Sequence, residues 1–218
     1  MSVTAKICGI NDPESMRAAI SGGASHIGLV FYPTSPRSVN PGEAMGLASV
    51  VPERVHKVGL FVDPENDQID KTLLVVKLDI LQLHGSETPE RVADLKMRTG
   101  KKVMKVIKIS DSKDLAAVES YVRVADALMF DAKPPKGMKD ALPGGNAVSF
   151  DWRILSGHKW PLPWMLAGGL TAENVAEAVE LSAAPIVDTS SGVEDSFGHK
   201  NPEKIAKFLR AVSEIRRR

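Results

Sequence analysis

The chain has 218 residues, 43% of them hydrophobic and 25% charged, with a formal charge of +1. That composition belongs to a globular protein with a sizeable core, and the near-neutral charge removes the electrostatic basis for binding nucleic acid or an anionic membrane. One cysteine, Cys8, excludes an internal disulfide or a multi-cysteine zinc site and fits a reducing cytoplasm, while no apolar run approaches the roughly 20 residues of a membrane span.

The opening Met1-Ser2-Val3-Thr4-Ala5-Lys6 has no apolar stretch of the kind a secretory signal needs. After it, eight short apolar runs alternate with longer amphipathic segments. The runs are residues 5–8, 26–31, 57–62, 80–84, 103–109, 127–131, 164–167 and 186–189. Most lack polar alternation, as strands do when helices cover one face and side chains fill the other.

Helix starts repeat a local signature in chain order. Asp12-Pro13-Glu14, Asp63-Pro64-Glu65, Thr88-Pro89-Glu90 and Asn201-Pro202-Glu203 each combine a capping side chain, proline at the first helical position and an acid suited to the helix dipole. Asn40-Pro41-Gly42-Glu43 is a looser version. Leu115, Val118 and Val122, after Asp114, predict a helix between the fifth and sixth strands. The segment 150–156 predicts a short sixth helix, and Val175, Ala178 and Val179 share a helical face after Thr171. Ile205, Phe208, Leu209, Val212 and Ile215 form the apolar face of the last helix. The Arg216-Arg217-Arg218 tail is expected to be solvated.

Eight such units at about 27 residues each predict a single (β/α)8 barrel, a TIM barrel, over 1–218. A doubly wound sheet is the structural competitor. No linker or charge block divides the chain. The long loop 133–145, with Pro134-Pro135 and Pro143-Gly144-Gly145, follows the sixth strand, where long loops carry function.

In such a barrel the active site lies at the C-terminal strand ends. Those ends hold Cys8, the loop 31–38, Asp63, His84, Asp131, Gly168-Gly169 and the segment 188–192. Gly168-Gly169 and Ser190-Ser191-Gly192 end strands seven and eight, the usual phosphate site of this fold, where backbone N–H groups can surround an anion. A thiolate can remove a proton and a carboxylic acid can donate one, so Cys8 and Asp131 together could move a proton between two sugar carbons. Each also has a plain reading: a small buried thiol, and a turn acid paired with Lys133. His84 has no second histidine at ligand spacing, so a metal is not expected. Asp63 doubles as a helix cap, and that is its expected role.

The chain resembles phosphoribosylanthranilate isomerase of tryptophan biosynthesis. The resemblance rests on Lys6-Ile7-Cys8-Gly9, Phe31-Tyr32-Pro33-Thr34-Ser35-Pro36-Arg37, Val58-Gly59-Leu60-Phe61-Val62, Leu81-Gln82-Leu83-His84-Gly85, Phe130-Asp131, Ala167-Gly168-Gly169-Leu170 and Asp188-Thr189-Ser190-Ser191-Gly192-Val193-Glu194. These follow the family's order over nearly the whole chain. The resemblance implies an isomerase of the aldose–ketose type that performs an Amadori rearrangement. Asp131 would be the general acid and Cys8 the general base. Arg37 would bind the anthranilate carboxylate, the two glycine-rich segments the phosphate, and Asp188 and His84 would be further contacts. No cofactor and no obligate protein partner is implied; the partner is the small-molecule substrate. Two departures stand out: a longer, Pro- and Lys-rich loop 133–146, of open role as lid or insertion, and Thr189 where many relatives carry valine. The related aminoimidazole carboxamide ribotide isomerase uses two aspartates, against which Cys8 argues. Indole-glycerol-phosphate synthase carries a glutamate and a lysine in its first strand region that are absent here. A barrel that only binds a sugar phosphate is the non-enzymatic alternative.

Overall fold

The computed structural model describes residues 2–135, 137, 138 and 142–216. Eight parallel strands close into a barrel in sequence order: β1 (Thr4–Cys8), β2 (His26–Val30), β3 (His56–Phe61), β4 (Ile80–Leu83), β5 (Lys102–Ile109), β6 (Ala127–Ala132), β7 (Trp164–Leu166) and β8 (Ile186–Thr189). All eight predicted runs are strands, each shifted by at most two residues at either end. The doubly wound alternative falls, because β8 pairs with β1 and closes the sheet.

Helices α1 (Pro13–Ser21), α2 (Pro41–Ser49), α3 (Asn66–Val75), α4 (Pro89–Thr99), α5 (Val118–Tyr121), α6 (Val175–Ser182) and α7 (Pro202–Glu214) surround it. The caps at Asp12, Thr88 and Asn201 accept the expected backbone N–H groups, each worth about 1 kcal/mol. Asn40, expected to be the looser version, forms a full reciprocal capping box with Glu43. The helix after β5 is mostly a 3-10 turn (Ser112–Ala117) before the single turn of α5, and the sixth is a 3-10 turn (Trp152–Leu155). Asp63 is a correction. Glu65 takes the cap position of α3, and Asp63 lies at φ 45°. Its carboxylate accepts the Ser86 N–H, and its own N–H goes to Glu87, so it ties the loop after β3 to the loop after β4. Arg216 makes an isolated bridge with Ser2; Arg217 and Arg218 lie outside the described residues, as do Met1, Lys136, Lys139, Asp140 and Ala141.

Two apolar layers divide the core. The larger lies between sheet and helices and includes Ile7, Ile27, Leu81, Phe130, Leu209 and Val212. The smaller fills the barrel: Val58, Ile80, Met104, Val106, Met129, Met165 and Ala167. Strand side chains alternate, so the parity that points Ile80, Met129 and Ile186 inward does the same for Gln82, His84, Asp131 and Asp188. Lys6 and Cys8 occupy that parity on β1, and Lys6 is fully buried. The barrel is therefore apolar below and polar above. Beyond β8 a small hairpin, β9 (Glu194–Ser196) with β10 (His199–Lys200), projects over the mouth.

At the closed end His26 is buried, with its ring 4.9 Å from His56 and Nδ1 2.9 Å from Ser25 Oγ. Burial, then His56, pushes its pKa down to about 3. Between roughly pH 6.5 and that value the unfolded chain binds a proton that the folded chain does not, so stability falls as pH falls, by about 1.4 kcal/mol per unit from this site. In His26→Gln, urea midpoints measured from pH 7 to pH 4 are expected to fall less steeply than in the wild type. Parallel slopes would contradict this.

Candidate active site

A cavity opens at the C-terminal face of the barrel. Cys8, Arg37, His84, Asp131, Gly168, Gly169, Asp188, Ser190 and Ser191 all line it. Of the residues expected from sequence, Gly192 is not among the lining groups. A Cβ there would lie 1.9 Å from the Leu170 carbonyl oxygen, so its glycine permits the loops after β7 and β8 to touch.

The Cys8 side is built on β1 and β8. Lys6 Nζ donates to Asp188 Oδ1 at 2.7 Å, with both side chains buried. Burial opposes the Lys6 charge, but Asp188 and then Cys8 outweigh it and push its pKa up to about 12. Lys6 therefore stays cationic beneath the thiol. Burial pushes the Cys8 thiol above its ordinary value, and Lys6 acts against that rise. Gly28 makes room for the pair: a Cβ there would meet Cys8 Sγ at 2.8 Å and Lys6 Nζ at 3.1 Å.

The Asp131 side is built on β4 and β6. Asp131 Oδ2 lies 3.0 Å from His84 Nε2, and Oδ1 accepts the Ala132 N–H at 2.9 Å. His84 Nδ1 in turn faces Gln82 Nε2 at 3.1 Å. The end of the loop after β6 roofs this side. Gly144 passes so close that a Cβ would fall 2.6 Å from His84 Nε2 and 2.9 Å from Asp131 Oδ2. β6 and β1 stand three strands apart around the barrel, with β7 and β8 between, so Asp131 and Cys8 face each other across the mouth.

Arg37 comes from the loop after β2 and is buried. Its Nε and Nη2 form a fork on Glu194 at 2.7 and 2.9 Å, and Nη2 also donates to the Gly145 carbonyl at 3.2 Å. Glu194 further accepts from Lys200 at 2.5 Å. Burial opposes the Glu194 charge, but Arg37 and Lys200 hold its carboxyl below the ordinary range. Phe197 lies over the guanidinium, with 5.0 Å from the ring centroid to Cζ. Among the described residues nothing accepts a hydrogen bond from Arg37 Nη1.

Gly168 and Gly169 adopt φ values of 93° and 64°, and a Cβ would strike Ala132 or Val148 backbone at about 3 Å, so only glycine fits. Among the described residues nothing accepts the N–H groups of Gly168, Gly169 or Ser191. Ser190 is held by Cys8 O and by Lys200 Nζ. Thr189, the departure from the common valine, uses its hydroxyl to bind the Leu170 carbonyl at 2.7 Å and so locks the two loops together.

Sequence reasoning missed Lys6, Gln82, Glu194 and Lys200 as parts of the site. Lys6 and Gln82 each stand two residues before a named site residue on a strand, and that parity is a usable signal. Glu194 lies 157 residues from Arg37, and nothing in the chain pairs them. No group of three or more His, Cys, Asp or Glu side chains suited to a metal occurs among the described residues.

The sequence profile described as PRAI, N-(5'phosphoribosyl)anthranilate (PRA) isomerase, matches residues 5–211. The chain is 58% identical over 212 residues to N-(5'-phosphoribosyl)anthranilate isomerase of Paramagnetospirillum magneticum, covering 97% of this chain and 98% of that one. It is 52% identical to the Paracoccus denitrificans enzyme of the same name, covering 99% and 100%. The phosphoribosyl anthranilate isomerase structure from Thermotoga maritima superposes with a TM-score of 0.85 at 31% identity, over 96% of this chain and 98% of that one. A second isomerase structure, in complex with reduced 1-(o-carboxyphenylamino)-1-deoxyribulose 5-phosphate, gives a TM-score of 0.82 at 30% identity, with the same coverage. By its sequence, its barrel and the place of its cavity, the chain belongs to the N-(5'-phosphoribosyl)anthranilate isomerase family.

Proposed function

We propose that this mouth performs the family's reaction, an Amadori rearrangement in tryptophan biosynthesis, with Asp131 as general acid and Cys8 as general base. The observation that carries the assignment is the placing of a thiol over a buried cation on one side and a carboxyl against a histidine on the other. Asp131 protonates the ribose ring oxygen of N-(5-phosphoribosyl)anthranilate as the C1–O bond breaks and the nitrogen lone pair forms a protonated imine. Cys8 takes the proton from C2, and the electrons of that C–H bond flow into the imine. The resulting enolamine becomes the ketone 1-(2-carboxyphenylamino)-1-deoxyribulose 5-phosphate. The imine is the electron sink, so the chemistry needs only acid and base.

The remaining groups position the substrate. The unpaired N–H groups of Gly168, Gly169 and Ser191, with Ser190 and Gly192 in the same turn, suit the phosphate. Arg37 Nη1 suits the anthranilate carboxylate, with Glu194 fixing the plane of the guanidinium. Asp188 and His84 act first on Lys6 and Asp131, and His84 also borders the substrate space. We place the protein in the cytoplasm, on the single free thiol; no helix among the described residues is long and apolar enough to cross a membrane.

Cys8→Ala and Asp131→Asn are each expected to lower kcat by about 10² to 10⁴-fold, with affinity for a product-like sugar phosphate nearly unchanged in a binding titration. Full turnover in either variant would overturn that assignment.

The thiol must lose its proton before it acts, so kcat/KM rises with pH on the limb that Cys8 controls. Asp188 opposes the thiolate and engages Lys6. Asp188→Asn removes that negative charge and frees Lys6 for the thiolate. The acidic limb of the pH–rate profile is therefore expected to move to lower pH; movement to higher pH would contradict the role given to Lys6.

Glu194→Gln removes the charge that holds Arg37. Steady-state kinetics are expected to show KM raised about tenfold, equivalent to roughly 1.4 kcal/mol of binding, with a smaller change in kcat. A fall in kcat at constant KM would move Arg37 from binding to chemistry.

A further inference from the structure

Asp131 can act as an acid only if it carries a proton at the working pH, and its surroundings make that demanding. Asp131 and Asp188 both act on His84. An imidazolium beside Asp131 would meet it as an ion pair, whereas a neutral imidazole meets it as a hydrogen-bond partner. Lys108, in register with Asp131 on β5, and Lys105 behind it add positive charge, while Glu87 and Asp63 from the loops after β4 and β3 offset them.

Gln82 bears on which form the ring takes. Its Nε2 faces His84 Nδ1 at 3.1 Å and also donates to Met129 Sδ at 3.5 Å, leaving Oε1 buried without a hydrogen-bond partner among the described residues. Reversing the amide would bring Oε1 to Nδ1, but it would strand both N–H bonds where Oε1 now lies. The observed orientation leaves one polar atom unpaired; the reverse leaves two donors unpaired. With an N–H directed at it, Nδ1 must offer a lone pair. A proton there would set two N–H groups head to head. The one remaining proton of the ring then sits on Nε2, directed at Asp131 Oδ2.

We propose that Gln82 is a positioning residue that holds His84 as the neutral Nε2–H tautomer, so that Asp131 meets a neutral donor and can enter the reaction protonated. The proposal rests on the reading of Asp131 as the acid. A neutral donor still receives the carboxylate that forms as the proton leaves, so the arrangement favours transfer without ionising the acid beforehand. The apolar layer of the barrel and the Gly144 roof keep the chain of three away from solvent.

Nitrogen NMR of histidine-labelled protein tests the tautomer directly, with the His84 signals assigned by their loss in His84→Gln. An unprotonated Nδ1 and a protonated Nε2 at neutral pH are expected. A protonated Nδ1, as the other tautomer or as imidazolium, would overturn the proposal. In Gln82→Glu a carboxylate replaces the amide and draws a proton onto Nδ1. The alkaline limb of kcat/KM, set by the acid, is then expected to move down by roughly one to three pH units. A protonated Nδ1 in that variant with the alkaline limb unmoved would break the link to Asp131. The NMR result does not depend on turnover. Should Asp131→Asn keep full activity, the acid assignment falls while the tautomer of His84 is still read independently.

Discussion

An ion pair sealed inside the barrel, Lys6 to Asp188 at 2.7 Å, sets the electrostatics on which the rest of the mouth depends. Removing two charges from water is costly, and a buried pair is weak evidence for stability, since apolar residues of similar volume often do as well. Its position gives it another use. Cys8 lies two residues beyond Lys6 on the same inward face, so the pair fixes a cation below a thiol that burial would otherwise keep protonated. Asp188 holds Lys6 charged and also tempers its pull on the thiol. Both neighbouring strands supply the setting, and the Cβ-free Gly28 supplies the space.

The opposite side of the mouth meets the reverse demand with a different set of groups. Asp131 has a histidine on one oxygen and a backbone amide on the other, and the histidine is backed by a neutral amide. In the proposed reading, acid and base chemistry share one cavity because the two sides differ in kind: a cation beneath the thiol, a neutral hydrogen-bond chain behind the carboxyl. Arg37 forms a third unit with Glu194 and Lys200, fixed by the hairpin after β8. The loops carry the close approaches: glycine at 168, 169 and 192 lets backbones meet there, and Gly144 lets the loop after β6 pass over the His84 and Asp131 side chains.

The strands were legible because a barrel strand covered on both faces reads as an apolar run, and the helix starts were legible because caps are local. Asp63 misled for a local reason: it has the capping residue and the proline, but its hydrogen bonds go across to the next loop at Ser86 and Glu87. The segment after β5 carries helical spacing yet forms mainly a 3-10 turn, since six residues tightened by the Asp111–Asp114 capping box leave room for only one α-turn. Cys8, Asp131, Arg37, His84 and Asp188 were found from strand-end positions and the family resemblance, and the structure gathers them around one cavity. Lys6 and Gln82 stayed hidden because a polar residue in the middle of an apolar strand carries no sign of which side it faces until the register is known. Glu194 and Lys200 act through a hairpin that no periodicity announces.

The proposed reaction requires one cavity to hold a base that has lost its proton and an acid that has kept one. The direct measurement is the rate of anthranilate fluorescence loss as freshly made phosphoribosylanthranilate is converted by the purified wild-type protein, followed across pH at low substrate concentration. The account predicts a rate that rises as the thiol ionises, passes through a maximum and falls as the carboxyl ionises. A rate that rises to a plateau with no alkaline fall, or no fluorescence loss at any pH despite tight binding of a product-like sugar phosphate, would contradict it.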